Sequence, residues 1–152
     1  MKIGIIYTSV SGNTKELALL IHMLFKKENI AVHLYRVEEF SLNYLDEYDA
    51  IAIGTYTWGD GEIPFEMEPL YKAFEKRERK TVVTGIFGTG DSFYPHYCGA
   101  VDRFRDLLKV NTNLAVTLKV ELLPQIQDIA QCEKFVDLFI KRINSSLKDY
   151  CF

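Results

Sequence analysis

The stretch Ile3-Gly4-Ile5-Ile6-Tyr7-Thr8-Ser9-Val10-Ser11-Gly12-Asn13-Thr14 opens as an apolar run and stops abruptly in hydroxyls, a glycine and an Asn-Thr pair. A segment with Leu17, Leu20, Ile21, Leu24 and Phe25 on one helical face follows. This order reads as a buried strand, a small polar turn and a helix N-terminus. The first N–H groups of a helix lack intrahelical partners, and the helix dipole adds partial positive charge there, so the turn is suited to an anion. Ser9, Ser11, Asn13 and Thr14 add side-chain donors. With no Lys or Arg in the loop, a phosphate monoester held by hydrogen bonds fits better than one held by charge pairing. Taken alone, the same residues also describe a Ser/Asn-capped helix after a strand. The lysine of a Gly-x-x-x-x-Gly-Lys-Ser/Thr loop and the Gly-x-Gly-x-x-Gly of a dinucleotide fold are both missing.

Working outward, strand-like runs fall at Lys2–Tyr7, Ala31–Arg36, Ala50–Gly54, Thr81–Phe87 and Leu114–Val120. Amphipathic segments lie between them at about 14–28, 66–78 and 99–109, and a short helix or turn at 41–48. A last helix at about 129–148 carries Phe135, Val136, Phe139, Ile140, Ile143 and Leu147 at helical spacing. Strands alternating with helices predict right-handed crossovers and a five-stranded, doubly wound parallel sheet between two helical layers, an α/β/α sandwich. With 152 residues and no linker or repeat, the chain is expected to be a single domain, 1–152.

Net charge is −3 and hydrophobic residues make up 48% of the chain, so a broad basic face for nucleic acid is not expected, nor is a membrane span. The N-terminus shows no signal-peptide pattern. Cys98, Cys132 and Cys151 have no metal-type spacing and read as reduced thiols of a cytoplasmic monomer, with Cys151 exposed near the C-terminus. His22, His33 and His96 make no ligand set.

Ligands of such sheets sit beyond the carboxyl ends of the strands, where the strand order reverses. Loops of matching character do follow the third and fourth strands: Thr55 to Glu62, and Gly88 to Gly99, both rich in glycine, aromatics and acid. Trp58 and Tyr94 lie in these loops rather than in a core-like periodicity, and two such aromatics suit the two faces of a flat ring.

Three motifs together resemble the flavodoxin family: Tyr7 to Thr14, Thr57-Trp58-Gly59-Asp60-Gly61, and Phe87 to Tyr94 continuing through Tyr97 to Asp102. The resemblance covers essentially the whole chain and is to the short-chain kind. It implies a flavodoxin-like sheet of order 2-1-3-4-5 and a tightly, non-covalently bound FMN. By it, Ser9, Ser11, Gly12, Asn13, Thr14 and Thr57 meet the phosphate. Trp58 and Tyr94 flank the isoalloxazine ring, and Thr89, Gly90, Asp91, His96, Tyr97 and Cys98 meet its pyrimidine edge. Tyr56 and His96 depart from the family pattern. The Gly59–Asp60 peptide matches the one that turns to accept the N5 proton, which stabilises the neutral semiquinone. The resemblance thus implies a low-potential carrier, without substrate turnover of its own, cycling mainly between semiquinone and hydroquinone. Its partners would be a flavodoxin/ferredoxin reductase-type donor and redox-enzyme acceptors, docking near Asp60, Glu62, Glu66 and Glu68. Alternatives on the same fold are an activator of ribonucleotide reductase, which usually lacks the Trp-Gly-Asp loop, and an NAD(P)H quinone reductase, which usually has extra loops. A receiver domain would need acids where Tyr7, Thr8 and Ser9 stand.

Overall fold

The computed structural model describes residues 1–148; the expectation for Cys151 lies outside them. Five strands, β1 (Ile3–Tyr7), β2 (His33–Arg36), β3 (Ala50–Thr55), β4 (Arg79–Gly90) and β5 (Thr112–Glu121), form one sheet in the order β2-β1-β3-β4-β5. Every pairing is parallel. The helices are α1 (Asn13–Lys27), α2 (Glu68–Lys76), α3 (Gly99–Asn111) and α4 (Ile129–Lys148). The β2-to-β3 connection makes only short 3-10 turns at Val37–Glu39 and Leu42–Glu47. None of the described helices is long and apolar enough to cross a membrane.

Successive side chains of a strand point to opposite faces, and this sheet uses the alternation to build two separate cores. Ile3, Ile5, Tyr7, Ala50, Ala52, Val83, Phe87, Leu118 and Val120 meet α1 and α4, which contribute Leu17, Ile21, Phe25, Cys132, Phe135 and Phe139. Ile6, Ile51, Ile53, Val82 and Ile86 face the other way, toward Leu70 and Phe74 of α2 and Val101, Phe104 and Leu108 of α3. Since β1 leads to β2 on one side and β3 lies on its other side, the strand order reverses at β1. The carboxyl ends of β1, β3 and β4 therefore stand side by side.

Several boundaries differ from the sequence reading, and for two of them the register gives the reason. β2 starts at His33 because its pairing with β1 begins at Gly4↔His33, so Ala31 and Val32 precede the ladder. β4 runs to Gly90 because Gly88 pairs with Thr55 and Gly90 with Glu121. The Gly-Thr-Gly run reads as loop by composition, yet it continues the strand under the site.

Cys98 and Cys132 are both buried, one in each core. Burial disfavours their thiolates and pushes both thiols up to about 11. A raised folded value means the folded chain holds these protons more tightly than the unfolded one. The corresponding stability is present below about pH 9, the ordinary thiol value, and is lost as pH rises toward 11. Urea denaturation is expected to show the natural protein losing on the order of 2 kcal/mol more than Cys132→Ala between pH 8 and pH 11. Parallel profiles for the two proteins would contradict the assignment.

Candidate functional site

The first loop, residues 8–12, is tied to the sheet by Thr8, whose N–H donates to the Gly54 carbonyl at 3.0 Å and whose hydroxyl donates to Glu66 Oε1 at 2.7 Å. Ser9 Oγ accepts from the Lys15 N–H at 3.1 Å. Gly12 turns the chain with φ 98° and supplies no side-chain cap to the 15-residue helix that follows. With the Lys15 N–H taken by Ser9, the N–H groups ahead of it at the start of α1 are left to donate to an outside acceptor. Thr14 Oγ1 lies 2.7 Å from Thr89 Oγ1, both buried, which joins this loop to the end of β4. Each hydroxyl has one proton, so if Thr89 donates, the Thr14 O–H is left to point elsewhere.

The second loop closes as a hairpin. Trp58 and Glu62 exchange N–H···O bonds of 2.8 and 2.7 Å around Gly59-Asp60-Gly61, with φ of +50° at Gly59 and +87° at Gly61. Thr57 Oγ1 accepts from the Ala100 N–H at 3.2 Å, fixing the base of the hairpin to the start of α3. In the third loop, Asp91 accepts from the Phe93 N–H at 2.9 Å and, through its carbonyl, from the Tyr94 N–H at 3.1 Å. Ser92 donates to Glu121, and the Leu122 N–H donates to the Gly90 carbonyl at 2.8 Å.

The second and third loops touch through two glycines. A Cβ built on Gly99 would lie 2.6 Å from Gly61 Cα, and one built on Gly61 would lie 2.8 Å from His96 Cβ. His96 Nε2 also lies 3.5 Å from Asp60 Oδ1 across the same contact. Between these loops is a cavity of about 290 Å³ lined by Thr57, Gly59, Gly90, Asp91, Tyr94, His96 and Cys98.

Seven of the residues expected at the site therefore line one cavity. Ser9, Ser11, Gly12, Asn13, Thr14 and Thr89 belong to the adjoining loop and its link to β4. Trp58 is on the hairpin but not in that lining, and the residue is 61% exposed, as is Tyr94. Tyr97 is half-buried, and burial raises its phenol well above the ordinary value.

Three side chains change the sequence reading. The first loop is not without a cation: Arg36, at the end of β2, donates to the Ser9 carbonyl at 3.2 Å and lies over the Tyr7 ring. Glu66 does not share the exposed acidic face of Asp60, Glu62 and Glu68. It is half-buried, and one of its oxygens accepts from both Thr8 and Tyr56, each at 2.7 Å. Burial pushes its carboxyl up, but these hydrogen bonds outweigh that and hold it below the usual carboxylate range. The Tyr56 hydroxyl is spent on Glu66 rather than on a ligand. Arg36 is 27 positions from Ser9 and Glu66 is 58 from Thr8, so no local spacing marks either one.

A helix N-terminus with its leading N–H groups unfilled, a cavity at the strand ends and exposed aromatics on two adjoining loops fit a phosphorylated, flat-ringed ligand. The doubly wound sheet and this position make the protein an α/β ligand-binding protein with its site at the switch point. Residues 5–133 match the family model described as Flavodoxin. The chain is 34% identical over 140 residues to "Probable flavodoxin 1" of Bacillus subtilis, covering 90% of this chain and 88% of that one. It is 33% identical over 130 residues to the flavodoxin of Maridesulfovibrio salexigens, covering 82% and 89%. The crystal structure of oxidised Flavodoxin 2 from Bacillus cereus superposes with a TM-score of 0.86 at 36% identity, covering 93% of this chain and 99% of that one. The chain belongs to the flavodoxin family. Its cofactor is FMN, and it is an electron-transfer protein that exchanges electrons with redox partners.

Proposed function

We propose that the chain is a low-potential one-electron carrier that works mainly between the one-electron-reduced and fully reduced forms of its flavin. FMN supplies the redox chemistry when bound; the protein holds and tunes it. In this reading Ser9, Ser11, Asn13, Thr14 and the first N–H groups of α1 hold the phosphate. Trp58 and Tyr94 cover the ring faces and exclude water. The loop segments around Asp91 and Cys98 present backbone groups to the pyrimidine edge.

The observation that carries the proposal is the hairpin at Gly59, whose φ of +50° lies where glycine is free and other residues are strained. With FMN bound, such a peptide would be able to turn and offer the Gly59 carbonyl as an acceptor for a proton on the ring. The exposed carboxylates Asp60, Glu62 and Glu68 on the same stretch disfavour added negative charge nearby. They also suit partners with basic docking faces, of the flavodoxin/ferredoxin reductase type on the donor side, with transfer rates that fall as salt rises.

Potentiometric titration tests this. The natural protein is expected to reduce in two separated one-electron steps. Gly59→Ala is expected to narrow the separation by tens of millivolts, because alanine resists the left-handed and turned conformations by about 1 kcal/mol. A single two-electron step, or no change in Gly59→Ala, would remove the peptide from the account.

A further inference from the structure

Behind the first loop lies a carboxylate that the electron-carrier reading does not use. The Thr8 N–H is taken by the Gly54 carbonyl and the Thr8 hydroxyl by Glu66, so Thr8 has no donor left for a ligand and acts as the loop's anchor. The same Glu66 oxygen accepts from Tyr56, on the chain leaving β3. Arg36 holds the Ser9 carbonyl and lies 3.7 Å from Glu38, so it is shared with another carboxylate. Lys15 and Glu16 of the first turn of α1 offset each other, so Arg36, Glu38 and Glu66 leave one net negative charge beside a loop built to take an anion.

We propose that Glu66 is a positioning residue for the phosphate end of the site: it fixes Thr8 and Tyr56, and its charge limits how strongly the loop prefers a phosphorylated flavin to an unphosphorylated one. This rests on the reading of residues 9–14 as the phosphate loop. Physically, two effects oppose each other. The hydrogen bonds to Glu66 hold the loop in the conformation that presents its donors, which favours phosphate. The carboxylate's charge acts against the phosphate through a partly dry region, where Coulomb interactions are weakened less than in water. Riboflavin has the same ring and ribityl chain but no phosphate, so it feels neither effect strongly.

Glu66→Gln separates the two, because an amide oxygen can still accept from Thr8 and Tyr56 while the charge is gone. Apoprotein is titrated with FMN and with riboflavin, following quenching of flavin fluorescence, and the ratio of the two dissociation constants is compared between proteins. The Glu66→Gln ratio is expected to shift toward FMN by about five- to tenfold, the size of a unit charge acting through partly hydrated protein. It should shift less at high salt. Tyr56→Phe keeps the charge but removes one of its hydrogen-bond donors, so its ratio is expected to shift the other way, toward riboflavin; this variant serves if Glu66→Gln does not fold. A ratio unchanged in Glu66→Gln, or equal losses for both flavins, would overturn the role of Glu66. A ratio near one in the natural protein would instead overturn the phosphate-loop reading itself.

Discussion

Gly99→Ala is expected to weaken FMN binding about a hundredfold while leaving the apoprotein's stability within about 1 kcal/mol. The new Cβ would stand 2.6 Å from Gly61 Cα and 3.0 Å from the Gly61 carbonyl oxygen. Both atoms are backbone, so no rotamer change relieves the overlap, and the second and third loops must move apart. These loops carry Trp58 and Tyr94 and enclose the cavity between them. Meanwhile Gly99 is the first residue of α3, where alanine is the better helix former, and that gain offsets part of the local strain. The variant therefore separates binding from folding. Flavin titration and urea denaturation of the apoprotein measure the two quantities side by side. FMN affinity within twofold of the natural protein would show that the glycine contact does not set the width of the site.

Gly88→Ala is expected to do the opposite, lowering apoprotein stability by about 3 kcal/mol or more. Its Cβ would meet Val101 Cγ2 at 2.3 Å and the Thr55 carbonyl oxygen at 2.4 Å. Thr55 is the register partner of Gly88 at the end of the β3–β4 ladder, so relief means opening that ladder or pushing α3 off the sheet. Either displacement lies directly beneath the loops, so binding falls as a consequence of lost packing. A denaturation midpoint equal to that of the natural protein would mean that α3 moves away at little cost.

The two variants also show where the sequence could be read and where it could not. Gly88 and Gly99 are both visible as glycines in a turn-like stretch, but composition does not say that one lies in a strand and the other starts a helix against the second loop. The strands and helices themselves were legible because each has a clear period or an unbroken apolar run: Ala50–Ile53 is buried on both faces, and α4 repeats Cys132, Phe135, Val136, Phe139 and Ile143 on one side. The loops were legible because each combines glycines and aromatics just after a strand. Arg36 and Glu66 were not legible. Arg36 ends β2 and reaches the first loop only because β2 pairs beside β1, and Glu66 reaches Thr8 from a 3-10 turn before α2. A charge read as solvent-facing in the sequence becomes part of the site's surround only through the strand order.

The partition of the molecule into two cores, one on each face of the sheet, has a kinetic consequence. Among the described residues each core encloses a single thiol, Cys132 beneath α1 and α4 and Cys98 beneath α2 and α3. A thiol reagent can reach Cys132 only when its helical layer lifts from the sheet, whereas Cys98 is approached from the cavity it lines. The two modification rates are therefore separate clocks, one for access through the cavity to Cys98 and one for the opening of the layer over Cys132. Cys98 lies at the ligand cavity and Cys132 does not, so a bound ligand has a direct route to slow the first clock, while the second keeps the time of the opposite face.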